Sequence, residues 1–265
     1  QLDSDFSIQG ENSDLDLSGK FSITNMIEES EFKFKGNSFT DGQGSMPNIR
    51  GLLTLPSLNF FFPLSQILAE FIFKPADKED TSFELDVKRF SANLLGGKIS
   101  THPFKYKPGS AQSKFTVNLK SIDISKFLAL YPDSNVTGTG QISGELPFTV
   151  TKDGPILRNG KLATLSPGGV IRGDLSSWAA AHPDNPGVVF AARALVNLHY
   201  DSLSATLNYS KSGELEAKLA IQGNNPDLNQ GQPLNVNITI GENIPALLET
   251  IKLINQGPEQ LRKRK

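Results

Sequence analysis

Apolar and polar residues alternate along three successive runs in the last third of the chain: 203–209, 215–221 and 234–240. A period of two puts alternate side chains on opposite faces of a strand, so each run predicts one greasy face and one wet face. Leu203, Leu207, Leu215, Leu219, Ile221, Val236, Ile238 and Ile240 fall on the greasy side. Ser-Gly and Asn-Pro turns separate the runs, which predicts an antiparallel meander with its outer strand, 234–240, at an edge. The turn Pro167-Gly168-Gly169 lies upstream and leads through Arg172 into a helical passage. It is read as a sharp bend between sheet and helices, or as an ordinary turn.

The same alternation recurs earlier. Leu15, Leu17, Phe21 and Ile23 alternate with polar residues, as do Phe32 and Phe34, the segment 83–87, and Phe115, Val117 and Leu119. Within Leu94-Leu95-Gly96-Gly97 the glycine pair predicts a bulge or a tight crossing in a strand. Asp153-Gly154 predicts a hairpin turn.

Five stretches change to helical spacing. Leu64, Ile67, Leu68, Phe71 and Ile72 follow Pro63 and predict a helix that caps a sheet core or closes a groove. A short helix is expected over 123–131, capped by Asp123 or Ser125. Another is expected over 174–181. Asn185 and Pro186 then start one whose stripe is Val188, Ala191, Ala192, Leu195 and Leu198, with His199 at its end. The fifth runs over 243–254, with Asn243 as cap and Ile244, Leu247, Leu248, Ile251 and Ile254 on one face.

Composition narrows the function classes. The 265 residues carry a net charge of -2, so no basic field argues for nucleic acid. The dense basic run Arg262–Lys265 is read as a solvated tail. With no cysteine, disulfides, thiol catalysis and cysteine-based zinc sites are excluded. The greasy stretch 58–73 is broken by Pro63, Gln66 and Glu70, and no run approaches the roughly 20 apolar residues that span a bilayer. Because the chain opens on Gln1, it is expected to be a fragment whose anchor or targeting sequence lies elsewhere.

Candidate chemistry is sparse. His102, His182 and His199 lie far apart in sequence, with no metal-binding motif between them, and there is no nucleophile elbow. The glycines of Gly138-Thr-Gly140-Gln-Ile-Ser-Gly144 stand one position off the dinucleotide fingerprint, and a strand rather than a helix follows them. No enzyme, metal or cofactor is expected. What remains is a sheet with an apolar face that must be covered, either by folding on itself as a sandwich or by curling around something greasy. Periodicity leaves both open.

Several pieces occurring in order over 138–248 carry a resemblance. They are the glycine segment through Pro147, Asn159-Gly-Lys-Leu162, Pro167-Gly168-Gly169-Val-Ile-Arg172, Tyr200-Asp-Ser-Leu-Ser204, Gly223-Asn-Asn225-Pro226, Leu234-Asn-Val-Asn237 and Glu242-Asn243-Ile-Pro-Ala-Leu-Leu248. Jointly they resemble the C-terminal region of the YdbH-like proteins in the AsmA/TamB-like group of Gram-negative bacteria. Pro167, Gly168, Gly169, Arg172, Asn225, Pro226 and Asn243 are its turn and motif residues. Residues 1–130 share only the looser AsmA-like style.

The resemblance implies a mainly β fold: an elongated, curled antiparallel sheet forming a groove, with short capping helices and a C-terminal helix. Two tracts are expected, 1–132 and 133–265. It also implies a periplasmic segment of an intermembrane bridge, tethered to the inner membrane by an N-terminal helix outside this sequence. Such a bridge carries phospholipid along a hydrophobic groove toward the outer membrane. The expected partner is a YnbE-like outer-membrane lipoprotein that adds a strand near the C-terminal end. A closed, partner-docking β domain is the alternative. A dicarboxylate-binding role, an older label for the domain, is discounted because no Arg or Lys cluster in the matched region would clamp two carboxylates.

Overall fold

The computed structural model describes residues 2–9, 14–23, 27–40, 47–59, 62–75, 83–108, 113–130 and 135–243. The first half forms β1 (Leu2–Gln9), β2 (Asp14–Ile23), β3 (Ile27–Phe39), β4 (Asn48–Asn59), β5 (Pro63–Lys74) and β6 (Glu84–Leu94). These are followed by β7 (Gly97–Thr101), β8 (Phe104–Tyr106) and β9 (Ser113–Asp123). The second half adds β10 (Val136–Gly138), β11 (Gln141–Thr151), β12 (Gly154–Thr164), β13 (Gly169–Gly173), β14 (Leu198–Tyr209), β15 (Glu214–Asn224) and β16 (Pro233–Asn243). Among the described residues three α-helices interrupt them: α1 (Ile124–Leu128), α2 (Ser176–Ala181) and α3 (Pro186–Leu195).

All the described strands belong to one 16-stranded antiparallel sheet whose order largely follows the chain. A sandwich needs a second sheet over the first, and among the described residues there is none. The fold is the mainly β, open curled sheet. β9 pairs with β11, so strands of the two expected tracts share this sheet.

Three strands are interrupted and continue along the same neighbour. β7 and β8 both pair with β6, and β12 and β13 both pair with β14. β10 pairs with β13 and β11 with β12, so the hairpin from 136 to 173 bends halfway. Antiparallel succession gives the sheet two rims. One carries the β4–β5, β6–β7 and β15–β16 connections and all three helices, and is called the helix rim. The other carries the β5–β6, β8–β9, β11–β12 and β14–β15 connections, and is called the hairpin rim.

Two helices begin as their caps predict. The Asp123 carboxylate accepts the Ser125 amide at 2.8 Å, and the Asn185 side chain accepts the amides of Gly187 and Val188. The hydroxyl of Ser125 also donates to Asp123 and holds that carboxyl below its ordinary range.

Two helical expectations fail, each for a local reason, and the glycine expectation is met in one of its two forms. Residues 63–72 form no helix; they are β5, laddered on both sides by β4 and β6. Gln66 sits at φ 50 within a register shift between Ser65 and Leu68. The extra residue of this bulge turns the two-residue spacing into three, so Leu64 and Ile67 mimic a helical stripe while packing in one cluster. Gly96 and Gly97 mark no bulge, but Gly97 does sit at a tight crossing, where a Cβ would lie 2.3 Å from the Lys120 carbonyl oxygen of β9. Leu95 and Gly96 make a two-residue hairpin turn closed by the Leu94–Gly97 pair, both turn residues at positive φ. Leu198 and His199 do not belong to α3; they open β14. Asn243 ends β16, paired with Glu214. The rest of the expected C-terminal helix, residues 244–254, lies outside the described residues.

Candidate functional site

The strand register places all eight predicted greasy residues on one face. Leu203 pairs with Ile221 and Ile221 with Val236; Ala205 pairs with Leu219 and Leu219 with Ile238. Leu207 pairs with Ala217 and Ala217 with Ile240, while Leu215 pairs with Tyr209. Directly opposed residues in a ladder share a face.

That face continues far beyond these three strands. One row reads Ala92, Ile99, Leu119, Gly144, Leu162, Ala205, Leu219 and Ile238, each paired with the next from β6 to β16. No polar side chain interrupts it. A second row follows the hairpin rim. Phe71 pairs with Val87 and Val87 with Phe104. Phe104 stacks on Phe115 at 4.8 Å and Phe115 on Phe148 at 5.6 Å. The row then passes through Leu157 and Tyr209 to Leu215. The other face is charged and hydroxylated: Asn118, Glu145, Lys161, Thr206, Lys218 and Thr239 make one of its rows.

The sequence singled out only the β14–β16 part of this surface. The aromatic row was missed, although Phe32, Phe34 and Phe115 showed the same alternation. Which strand neighbours which is not written in a periodicity, so the pieces could not be joined.

The apolar face is unevenly covered. On β14–β16, α3 lies over the helix-rim half. Ala191, Ala194 and Leu195 pack there with Leu198, Tyr200, Leu203, Ile221, Leu234 and Val236 into the largest buried cluster. Toward the hairpin rim the cover ends. Leu207, Leu215, Leu219 and Ile238 are half-buried, and Ile240 is 43% exposed. The aromatics Phe34, Phe71, Phe104, Phe115 and Phe148 are half-buried as well. Full burial of such side chains is worth about 1.5–3 kcal/mol each, so a long face left half-covered is a standing cost to the bare protein.

Most of the motif residues meet at the corner where the bent hairpin, β14 and α3 come together. Tyr200 is its centre. It is 2% exposed, and its hydroxyl donates to the Thr139 carbonyl at 2.6 Å. Gly168 has φ +90, and a Cβ there would lie 2.1 Å from the Tyr200 carbonyl oxygen. Pro167 leads into this contact and Gly169 pairs with Tyr200. Asn225 is buried and donates to the carbonyls of Arg193 and Ala194, the last turn of α3, while its own carbonyl accepts the Asp227 amide. It thereby satisfies acceptors that a helix end leaves open. Pro226 follows it on the surface. The Arg172 guanidinium donates to Asn197, and Asn197 donates to Asp227 at 2.7 Å. Asn243 stands apart, at the opposite end of β16, where it donates to Glu214. Tyr200 was not foreseen, because nothing in its local sequence marks it as a hub.

Burial raises the Tyr200 phenol above its ordinary pKa of 10. An unfolded chain would therefore lose this proton first as pH rises. The contribution of Tyr200 is complete below about pH 10 and is lost as pH climbs through the folded-state value. A spectrophotometric titration is expected to show a tyrosine that ionises above the ordinary value, and Tyr200→Phe removes that step. A titration unchanged by Tyr200→Phe would refute the assignment.

Among the described residues no group of His, Asp or Glu is placed to hold a metal ion, and no helix is long and apolar enough to cross a membrane. Against models of known families, the chain matches over residues 10–265 the one described as YdbH-like: Intermembrane phospholipid transport protein YdbH. No curated protein and no solved structure matches it significantly.

Proposed function

The chain belongs to the YdbH-like family of intermembrane phospholipid transport proteins, and from that premise we propose that its apolar face is the surface along which acyl chains travel. The observation that carries this reading is the uninterrupted row from Ala92 to Ile238, eight strands without a polar side chain. Acyl chains need apolar contact and no catalytic geometry. Their presence would also relieve the cost of the half-covered aromatics. Leu203, Ile221 and Val236 lie under α3 and shape the end of the track, while Leu207, Leu215, Leu219, Ile238 and Ile240 line its open half.

In this reading the chain is a periplasmic segment of a bridge, tethered to the inner membrane by a helix outside the sequence and carrying phospholipid toward the outer membrane. Among the described residues β16 pairs only with β15. Its outer edge offers backbone donors and acceptors to one more strand, and a YnbE-like outer-membrane lipoprotein is the partner that would supply it.

Native mass spectrometry of the purified chain, followed by lipid extraction, tests the central claim. Stoichiometric phospholipid is expected. A folded sample of bare protein mass that takes up none from added vesicles would overturn it.

A further inference from the structure

A second site lies at the hairpin rim, on the margin between the two faces. The β12–β14 ladder ends at the pair Leu157–Tyr209, after a register shift at Asn159, which sits at φ 54. Beyond that pair the tips of the β11–β12 and β14–β15 hairpins diverge. The notch between them is a cavity of about 990 Å³ lined by residues 151–153 and 156–159 of one tip and by residues 208–211, Glu214 and Glu216 of the other. Leu157 and Tyr209 contribute to its wall, and both also belong to the aromatic row of the apolar face. The notch therefore touches the greasy track on one side and solvent on the other.

Its polar lining carries both signs of charge. Lys152, Arg158 and Lys211 face it, with Asp153, Glu214 and Glu216. The carboxylates are engaged: Asp153 with Lys211 at 3.6 Å, Glu216 with Lys218 at 3.1 Å, and Glu214 with the Asn243 amide. Among the described residues, Lys152 and Arg158 have no ion pair. A guanidinium and an ammonium lining one notch suit a phosphodiester, and the carboxylates that share the lining suit an ammonium.

The geometry points to this notch as a seat for the zwitterionic head group of a phospholipid whose acyl chains lie along the Phe148–Leu157–Tyr209–Leu215 row. The inference rests on the lipid-carrying reading above and adds where the head group goes. The phosphodiester is held by Arg158 and Lys152, and the amine lies toward Glu214 and Glu216. The Lys211–Asp153 pair bridges the two tips and closes the notch on its outer side.

Amide chemical-shift mapping tests it with three probes: dihexanoylphosphatidylethanolamine, dihexanoylglycerol and inorganic phosphate. The phospholipid should shift amides of both the notch, at Asp153, Asn159 and Lys211, and the apolar row. Dihexanoylglycerol should shift the row alone, and phosphate at matched concentration should shift neither. Lys152→Gln combined with Arg158→Gln should weaken phospholipid binding about tenfold while leaving dihexanoylglycerol unchanged. Row shifts without notch shifts, or equal phospholipid affinity in the double variant, would overturn the head-group seat and leave the lipid track standing. Notch shifts from phosphate alone at equal affinity would make it a simple anion site, which also overturns the assignment. No shift anywhere with either lipid would overturn the track itself.

Discussion

Replacing Leu219 with aspartate is expected to yield a folded protein that no longer retains phospholipid, whereas the same change at Ile221 is expected to unfold it. The two positions lie two residues apart on one face of β15. Ile221 is 3% exposed beneath α3, between Leu203 and Val236. A carboxylate buried there has no partner and no water, which costs several kcal/mol on top of the lost apolar contact. Leu219 is only half-buried, between Ala205 and Ile238. In the bare protein an aspartate there can reach water, and the cost is roughly the lost leucine burial, about 1–3 kcal/mol. With an acyl chain laid across it, the same carboxylate must be desolvated, and occupancy should drop about 100-fold or more. Native mass spectrometry and circular dichroism of both variants read the difference. Leu219→Asp that keeps its lipid would remove this rung from the track. Leu219→Asp that unfolds as Ile221→Asp does would mean the face is closed there.

The second large effect is expected at the corner. Tyr200→Ala removes the aromatic ring from the largest cluster and leaves the Thr139 carbonyl without its donor. Large-to-small changes at such sites cost about 3–5 kcal/mol. At about 2–4 °C per kcal/mol for a chain of this size, melting should fall by roughly 10 °C. Tyr200→Phe isolates the hydrogen bond and should cost about 1–3 kcal/mol. Gly168→Ala attacks the same corner from the other side. Alanine at φ +90 is strained by about 1–2 kcal/mol, and its methyl would press on the Tyr200 carbonyl, which as backbone cannot swing away. Scanning calorimetry checks all three. A Tyr200→Ala melting point within about 2 °C of the parent would remove Tyr200 from the centre of the corner.

The corner also gives dispersed residues a common task. Gly168, Arg172 and Asn225 are far apart in the chain, yet they act on one joint: Gly168 admits the β14 backbone, Asn225 closes the end of α3, and Arg172 holds Asn197 in the turn between α3 and β14. Their shared task is to seat α3 over the face, which decides how much of the apolar surface near β16 stays open.

What the sequence by itself determined is whatever depends on neighbours along the chain. Alternation fixed which side chains of β14, β15 and β16 share a face, because successive residues of a strand must point to opposite sides. Asp123, and Asn185 with Pro186, fixed where α1 and α3 begin, because a cap acts within three residues. What depends on neighbours across the sheet was left to tertiary structure. Leu64 and Ile67 looked helical because one bulge residue, Gln66, shifts the period, and only pairing with β4 and β6 selects a strand. Leu198 continued the apolar spacing of α3 into β14, since an amphipathic helix and a buried strand can share a residue where they join. The rows joining Ala92 to Ile238 and Phe71 to Leu215 exist only once strands are in order and in register. Whether that surface is covered is also a tertiary matter: α3 buries Ile221 and leaves Leu219 half-open, although the two residues look alike in the alternating pattern.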